Sequence, residues 1–503
     1  MTRKKFHLFI LLVVLVGFYA SISFVNHYLL RTYALDLGMF NQALYSFSKG
    51  EMNYFTLDMA GNSPIYFADH FSPLTFFYVP FYYLFGNWTL LIIQLFSIIM
   101  ASLAVYKIAM LKLNHHFLAL FCVIIFSFNW GIVSALAFDF HNNVVATMLL
   151  PWVYLWYLKD KKTLVIIGVF LILMAKENMG IWVGFIFFGW AIQKWWLNGK
   201  SNQKNKVIFE ISIALFAWSY FLFVVSYVMP ALSNGPNFQL QRYDVLGANM
   251  SEIIQTIFMH PLKTISYFFM NTLGPEFQYF KLTTYIVLIL SGGIFLIFRP
   301  IFLFMLLPIL AQKMLSSNAS LWGVGGQYSI EFSVIIIFSI IAFLSNMKRN
   351  SLKIILVIVV SVSTLGTNFH LVNARLPEYL DRPHRDYTYA SHYDSGGVNQ
   401  EYIKNKLKQI PDDEPVSSSS CLAPRLERRQ KLYHFPIIKD AKYIVLLSNG
   451  RRHHPISDEQ FVEKVVELKK SNQFEIVHDK FDLLIFKRKQ IKQKPSLTLH
   501  HEN

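Results

Sequence analysis

Long apolar runs decide what this chain can fold into. Residues 6–24, 90–105 and 208–228 each approach or exceed the roughly 20 residues that cross a hydrocarbon core about 30 Å thick. Within a bilayer every backbone amide must find its partner inside the protein, which leaves helices or a closed barrel. The ten-residue alternating strands of a barrel are absent, so the runs read as helices. Composition agrees. Of 503 residues only 15% are charged and 54% are hydrophobic, against about 25% charged in a soluble domain. The expected fold class is an α-helical polytopic membrane protein.

The formal net charge is +16, yet no aromatic-plus-basic motif accompanies it, and nucleic acid is excluded as a partner. Lys and Arg instead cluster in short loops between apolar runs, where they set topology. Thr2-Arg3-Lys4-Lys5 precedes a first run too long for a signal peptide and without a small-residue cleavage site. That places the N-terminus in the cytoplasm. Walking on, spans are expected at about 6–26, 88–107, 117–135, 142–158, 163–175, 179–193, 207–229, 282–298, 300–317, 328–346 and 352–369, about eleven in all. The segment 73–85 is apolar but only about 13 residues long, and Pro80 interrupts it. It reads as a helix lying in the outer interface.

Each expected cytoplasmic loop carries basic residues, and the acidic motifs of the spanning region fall on the other face. Three regions follow: a transmembrane domain over 1–369 with a large first extracytoplasmic loop at 27–87, a soluble extracytoplasmic domain over 370–490, and a disordered tail over 491–503. The soluble part mixes a helical pattern at 458–471 with strand-like runs at 443–447 and 483–486, and is long enough to bury its own core as a small α/β domain. The two cysteines, Cys122 and Cys421, sit in a span and in this domain; neither a disulfide nor a CxxC metal site is expected.

Polar motifs gather on the expected outer face. Tyr33-Ala34-Leu35-Asp36-Leu37-Gly38 with Gln42 opens the first loop. Asp36 fits two roles, a general base toward a hydroxyl acceptor and a helix N-cap. Asp69-His70-Phe71-Ser72-Pro73 follows. His70 suits a phosphate or a carboxylate, and Asp69 or Ser72 equally suits capping the helix that Pro73 starts. Asp139 and His141 are two potential ligands of a divalent metal, too few to define a site.

Lys176-Glu177-Asn178 sits between two apolar spans, where charge is costly and either lines a cavity or pairs with itself. Lys176 would serve a lipid-linked phosphate as a point charge. Gly323-Val324-Gly325-Gly326-Gln327-Tyr328-Ser329-Ile330-Glu331 is a further outer turn that lacks phosphate-loop spacing. Gln327, Tyr328 and Glu331 are candidates for the same cavity.

In their order and spacing these motifs resemble a family of bacterial membrane proteins, domain-of-unknown-function family 2079. The match continues through Val416-Ser417-Ser418-Ser419, Pro424-Arg425-Leu426-Glu427-Arg428-Arg429, Tyr433-His434-Phe435-Pro436 and Ala441-Lys442-Tyr443-Ile444-Val445. The layout is similar to that of the GT-C superfamily of membrane glycosyltransferases, which use polyprenyl-phosphate sugar donors and an acidic residue in the first extracytoplasmic loop. The resemblance implies a base role for Asp36. It also implies donor-phosphate contacts from basic residues such as Lys176 and His70; Tyr33, Gln42, His141, Glu177, Gln327 and Tyr328 are the further candidates for substrate contact.

The function so implied is transfer of a sugar from a polyprenyl-phosphate donor to an extracytoplasmic glycan, lipid or protein acceptor in a bacterial cell membrane. A divalent metal is a possible cofactor. Two rival readings remain open: a transporter or flippase of a lipid-linked or polar substrate, and a non-catalytic membrane assembly protein. Transporters favour mid-membrane charges on broken helices and internal repeats; here the charges sit at one face and no repeat is evident.

Overall fold

The computed structural model describes residues 2–52, 54–58, 65–197, 207–233, 240–373, 386–448 and 453–489. Its backbone divides into two units. The first takes in residues 1–32, 43–54 and 64–394, and the second 33–42, 55–63 and 395–503. The tail expected at 491–503 lies outside the described residues.

The described part of the first unit is mainly helical. Among the described residues five helical stretches are long and apolar enough to cross a membrane: Arg3–Tyr28, Pro73–Leu113, Ile208–Leu232, Ala319–Ser345 and Asn350–Val372. Several other expected spans are helical but shorter or broken. The span read at 117–135 is two helices, His116–Ser127 and Trp130–Phe138, bent by 44°. Asn129 makes the break, its side chain accepting from the Gly131 amide to start the second helix. The span read at 282–298 breaks at Ser291 and Gly292, the latter at φ +98°. Asn142–Leu158 and Met179–Leu197 coincide closely with expected spans, and Lys162–Ala175 and Pro300–Met314 are shorter apolar helices.

The segment expected at 73–85 is helical as Pro73–Tyr78 and Val79–Phe85, and Gly86 at φ +54° separates it from the Thr89–Leu113 helix. Close packing uses small residues, as membrane bundles do. A Cβ on Gly184 would lie 2.1 Å from the Trp218 indole nitrogen, so the Met179–Leu197 and Ile208–Phe223 helices could not pack this closely with any other residue there.

The second unit contains a five-stranded sheet. Its strands are β1 (Val416–Ser418), β2 (Leu432–His434), β3 (Tyr443–Leu447), β4 (Phe474–Lys480) and β5 (Leu483–Arg488), in the order β2-β1-β3-β5-β4. β2, β1 and β3 run parallel, and β5 and β4 add antiparallel. Both expected strands are present, and the expected helix forms as Asp458–Lys470.

That helix begins in a capping box between Ser457 and Gln460. Phe461 and Leu468, seven residues apart and so on one face, bury against Phe435, Ile444, Leu446, Phe474, Leu484 and Phe486. This is a small α/β unit with its own core.

Candidate functional site

The first unit holds a cavity of about 390 Å³, inside the size range of small-molecule sites. Its polar lining includes His141, Asn143, Lys176, Glu177, Asn178, Arg242, Gln327 and Glu331, and its apolar lining includes Trp182, Phe185, Phe221, Met229, Ile253 and Leu321. Of the residues singled out in the sequence, His141, Lys176, Glu177, Gln327, Tyr328 and Glu331 therefore meet around one space.

Each polar side chain is presented by a helix end. Lys176 directly follows the Lys162–Ala175 helix, where the partial negative charge of the C-terminus favours a cation. Lys176 is partly exposed, and among the described residues its ammonium makes no hydrogen bond or ion pair, while its backbone carbonyl accepts from the Met179 amide at 3.2 Å. Its neighbour Glu177 is buried, and its Oε2 accepts from the Phe71 amide at 3.2 Å. Asn178 Nδ2 donates to Gln312 Oε1 at 3.3 Å. The self-compensating pair considered from the sequence does not form.

His141 immediately precedes the Asn142–Leu158 helix. Its amide donates to Gln94 Oε1 at 3.0 Å, and Gln94 Nε2 donates to the Asp139 carbonyl at 2.6 Å. Asp139 Oδ1 accepts from the Phe140 amide at 2.6 Å. The His141 ring stands edge-on to His70, centroids 5.9 Å apart, and His70 Nε2 lies 3.7 Å from Asp69 Oδ2. Among the described residues no group of three or more His, Cys, Asp or Glu side chains could hold a metal ion, so Asp139 and His141 have no third ligand of that kind.

The glycine-rich turn approaches from the far side. Gly131 of the Trp130–Phe138 helix makes room for it: a Cβ there would sit 2.1 Å from the Ser329 carbonyl oxygen. Ser134 Oγ donates to the carbonyls of Val324 and Gly326, both at 2.9 Å. Asn143 Nδ2 reaches Glu331 Oε1 at 3.2 Å, and Lys313 Nζ donates to the Tyr328 carbonyl at 3.0 Å. Gln327 and Tyr328 are thus carried into the cavity by a braced turn.

Lys313, Gln312, Arg242 and Tyr243 also line the cavity and were not picked out from the sequence. Lys313 had a legible signal, a cation inside the apolar run 300–317. Arg242 and Tyr243 sit in a stretch without pattern, and Tyr243 reaches the site by donating its hydroxyl to the Gln312 carbonyl at 3.1 Å.

Tyr33, Asp36 and Gln42 belong to the second unit. Residues 34–38 form an irregular turn, with Leu35 in a non-helical conformation, ahead of the Met39–Ser48 helix. Gln42 is fully engaged within its unit. Its Nε2 donates to Thr56 Oγ1 at 2.9 Å and to the Arg429 carbonyl at 3.2 Å, while its Oε1 accepts from the Thr56 amide at 2.9 Å. Thr56 Oγ1 in turn donates to the Leu432 carbonyl at 2.7 Å. The loop carrying Asp36 is in this way fastened to the start of β2.

The cavity thus brings cations (Lys176, Arg242, Lys313) and carboxylates (Glu177, Glu331) together with an apolar lining. Comparison with solved structures bears on the fold. The chain is similar to ArnT from Cupriavidus metallidurans, whose crystal structure was determined bound to undecaprenyl phosphate. The TM-score is 0.51 at 10% identity, over 96% of this chain and 98% of that one. At that identity the likeness speaks for a shared GT-C-like fold. No curated protein matches the sequence. The model of a family described as predicted membrane protein (DUF2079) matches residues 26–484. With nearly the whole length matched, the chain belongs to the DUF2079 family of predicted membrane proteins.

Proposed function

We propose that the protein is a GT-C-like membrane glycosyltransferase that moves a sugar from a polyprenyl-phosphate donor to an extracytoplasmic acceptor. The observation that carries this reading is Lys176, whose ammonium makes no hydrogen bond or ion pair among the described residues, in the lining of a cavity that also has many apolar side chains. In that reading Lys176 and Arg242 neutralise the donor phosphate, and the prenyl chain lies along Phe185, Phe221 and Met229. The fold shared with ArnT, a protein crystallised with undecaprenyl phosphate, supports the same donor class.

Asp36 then acts as the general base that takes the acceptor hydroxyl's proton as the glycosidic bond to phosphate breaks. The basic loops put the N-terminus in the cytoplasm and the C-terminal unit outside, where a water-borne acceptor would be held. His70, His141, Gln327 and Tyr328 contact the sugar or phosphate, and Tyr33 and Gln42 support the Asp36 loop.

Two variants of the full-length protein in lipid nanodiscs test this. Lys176→Gln removes the charge and should weaken undecaprenyl phosphate binding by about ten- to a hundredfold, the worth of one charged hydrogen bond. Asp36→Asn should bind the lipid normally while losing transfer of labelled sugar from a polyprenyl-phosphate donor into envelope material. Unchanged binding in the first variant removes the donor assignment. Full transfer in the second removes the base.

A further inference from the structure

The spans expected at 207–229 and 282–298 leave a long outer loop between them. The structure gives part of it another character. Met250–Met259 and Pro261–Tyr267 are consecutive helices of ten and seven residues, far below the roughly 20 needed to span. They are apolar on two sides. Ile253 and Ile257 face inward and line the cavity. On the other side Phe258 is 77% exposed, Leu262 82% and Phe269 68%, with Ile254, Met259 and Ile265 also exposed. Ser251, Glu252, Gln255, His260 and Lys263 are exposed as well, so the segment presents polar and apolar surface together, as a helix lying in an interface does, and large exposed apolar side chains in this number mark a binding surface.

The exposed apolar residues continue onto the Phe280–Leu288 helix. Phe269 packs on Tyr285 with ring centroids 5.5 Å apart, and Tyr285 donates its hydroxyl to the Phe268 carbonyl at 3.0 Å. Tyr285 belongs to the Phe280–Leu288 helix, whose Leu282 and Ile286 are exposed in the same manner. Lys281 of that helix closes the joint. Its buried Nζ donates to the carbonyls of Tyr267 (2.5 Å), Met270 (2.9 Å) and Met314 (2.8 Å) and lies 4.1 Å from the centre of the Trp322 ring. The end of the helix pair is therefore bolted to a membrane helix, with the free carbonyls of its last turns satisfied by one cation.

We infer that residues 250–270 form an in-plane membrane element, embedded by Phe258, Leu262, Ile265 and Phe269 in the boundary between headgroups and acyl chains. The partner is the lipid bilayer. Short amphipathic segments hold this position through buried apolar area. Ile253 and Ile257 of the same helix line the cavity. The element stands whether or not the cavity takes a lipid-linked sugar.

Site-directed spin labelling of the full chain in nanodiscs tests the assignment. The native Cys122 and Cys421 are both buried. Nitroxides placed by Phe258→Cys and Leu262→Cys should collide with oxygen several-fold more readily than with an aqueous nickel chelate. A label at Val462→Cys, an exposed position of the C-terminal unit, should show the reverse. Chelate access at 258 and 262 equal to that at 462 overturns the inference. So does protection from both reagents, since a protein partner or a second copy would then cover the face. On the unmodified chain, a photoactivatable lipid should leave adducts within residues 254–270 as well as on exposed span residues such as Phe216 and Leu222. Adducts on the spans alone also overturn it.

Discussion

Gln94 holds His141 from behind: one side-chain amide accepts from the His141 amide at 3.0 Å and donates to the Asp139 carbonyl at 2.6 Å. Gln94 is fully buried in the Thr89–Leu113 helix, so both bonds form away from water. They fix the register of the turn that brings His141 and Asn143 to the cavity. Gln94→Leu should cost about 2–4 kcal/mol, because two buried backbone groups lose their partners. Thermal unfolding in detergent reads the loss. Gln94→Glu keeps the acceptor toward His141 and should fall between the two; a leucine variant as stable as the native chain would show that the turn stands without this clamp.

A buried charge joins three helices, Asn142–Leu158, Met179–Leu197 and Ile208–Phe223. Glu210 Oε1 accepts from Lys194 Nζ at 2.7 Å and from the Tyr157 hydroxyl at 2.8 Å. Its side chain is fully buried, whereas that of Lys194 is one-third exposed. The two ends of the pair should therefore respond unequally. Lys194→Met strands a carboxylate and should cost about 3 kcal/mol, the lower end for breaking a buried pair. Glu210→Gln leaves a lysine that still reaches water and should cost less. Equal losses in the two unfolding curves would contradict this asymmetry.

Thr56 is the relay through which Gln42 holds the Asp36 loop on β2. Its Oγ1 accepts from Gln42 Nε2 and from the Leu432 amide (2.8 Å) and donates to the Leu432 carbonyl. Thr56→Val keeps the shape but leaves the Leu432 amide and the Gln42 amide short of partners, at about 1–3 kcal/mol. Thr56→Ser retains the oxygen and should be near native. Limited proteolysis of the first loop distinguishes them: faster cleavage is expected for valine only.

His434 makes the C-terminal unit acid-sensitive. The side chain is fully buried at the end of β2. Burial, reinforced by the nearby His454 charge and partly offset by a hydrogen bond with the His454 backbone, pushes its pKa down to about 4 from 6.5. Below pH 6.5 the unfolded chain binds a proton that the folded chain refuses. Stability is therefore complete above pH 6.5, declines as pH falls toward about 4, and loses about 3 kcal/mol from this group over that window. His434→Leu should flatten the unfolding midpoint between pH 6.5 and 4; an unchanged slope would assign the acid sensitivity to other groups.

The membrane class was legible because hydrocarbon thickness imposes a length on every apolar run, and the runs at 6–24 and 208–228 meet it directly. The helix Asp458–Lys470 and the strand Tyr443–Leu447 were legible for a related reason. Periodicity and continuous apolar character are local properties, and here tertiary packing agreed with them. The breaks at Asn129 and Gly292 were not legible as breaks. In an apolar run a single polar residue or glycine reads the same whether the helix bends or continues, and what lies against it decides.

The candidate site divides in the same way. Lys176, His141 and Gln327 could be singled out one by one, because a charge or amide among apolar residues is expensive and calls for a reason. That they surround one cavity, together with Arg242, Tyr243 and Lys313, is a property of chain reversals separated by dozens of residues, and no local pattern encodes it. Gln42 shows the converse. Its motif suggested substrate contact, yet tertiary structure engages its amide with Thr56 and the Arg429 carbonyl. The residues by themselves determined that this chain lives in a membrane and where its costly polar groups lie. Only the tertiary structure decided which of those groups hold the fold together and which turn toward a cavity, since that depends on the partners distant segments supply.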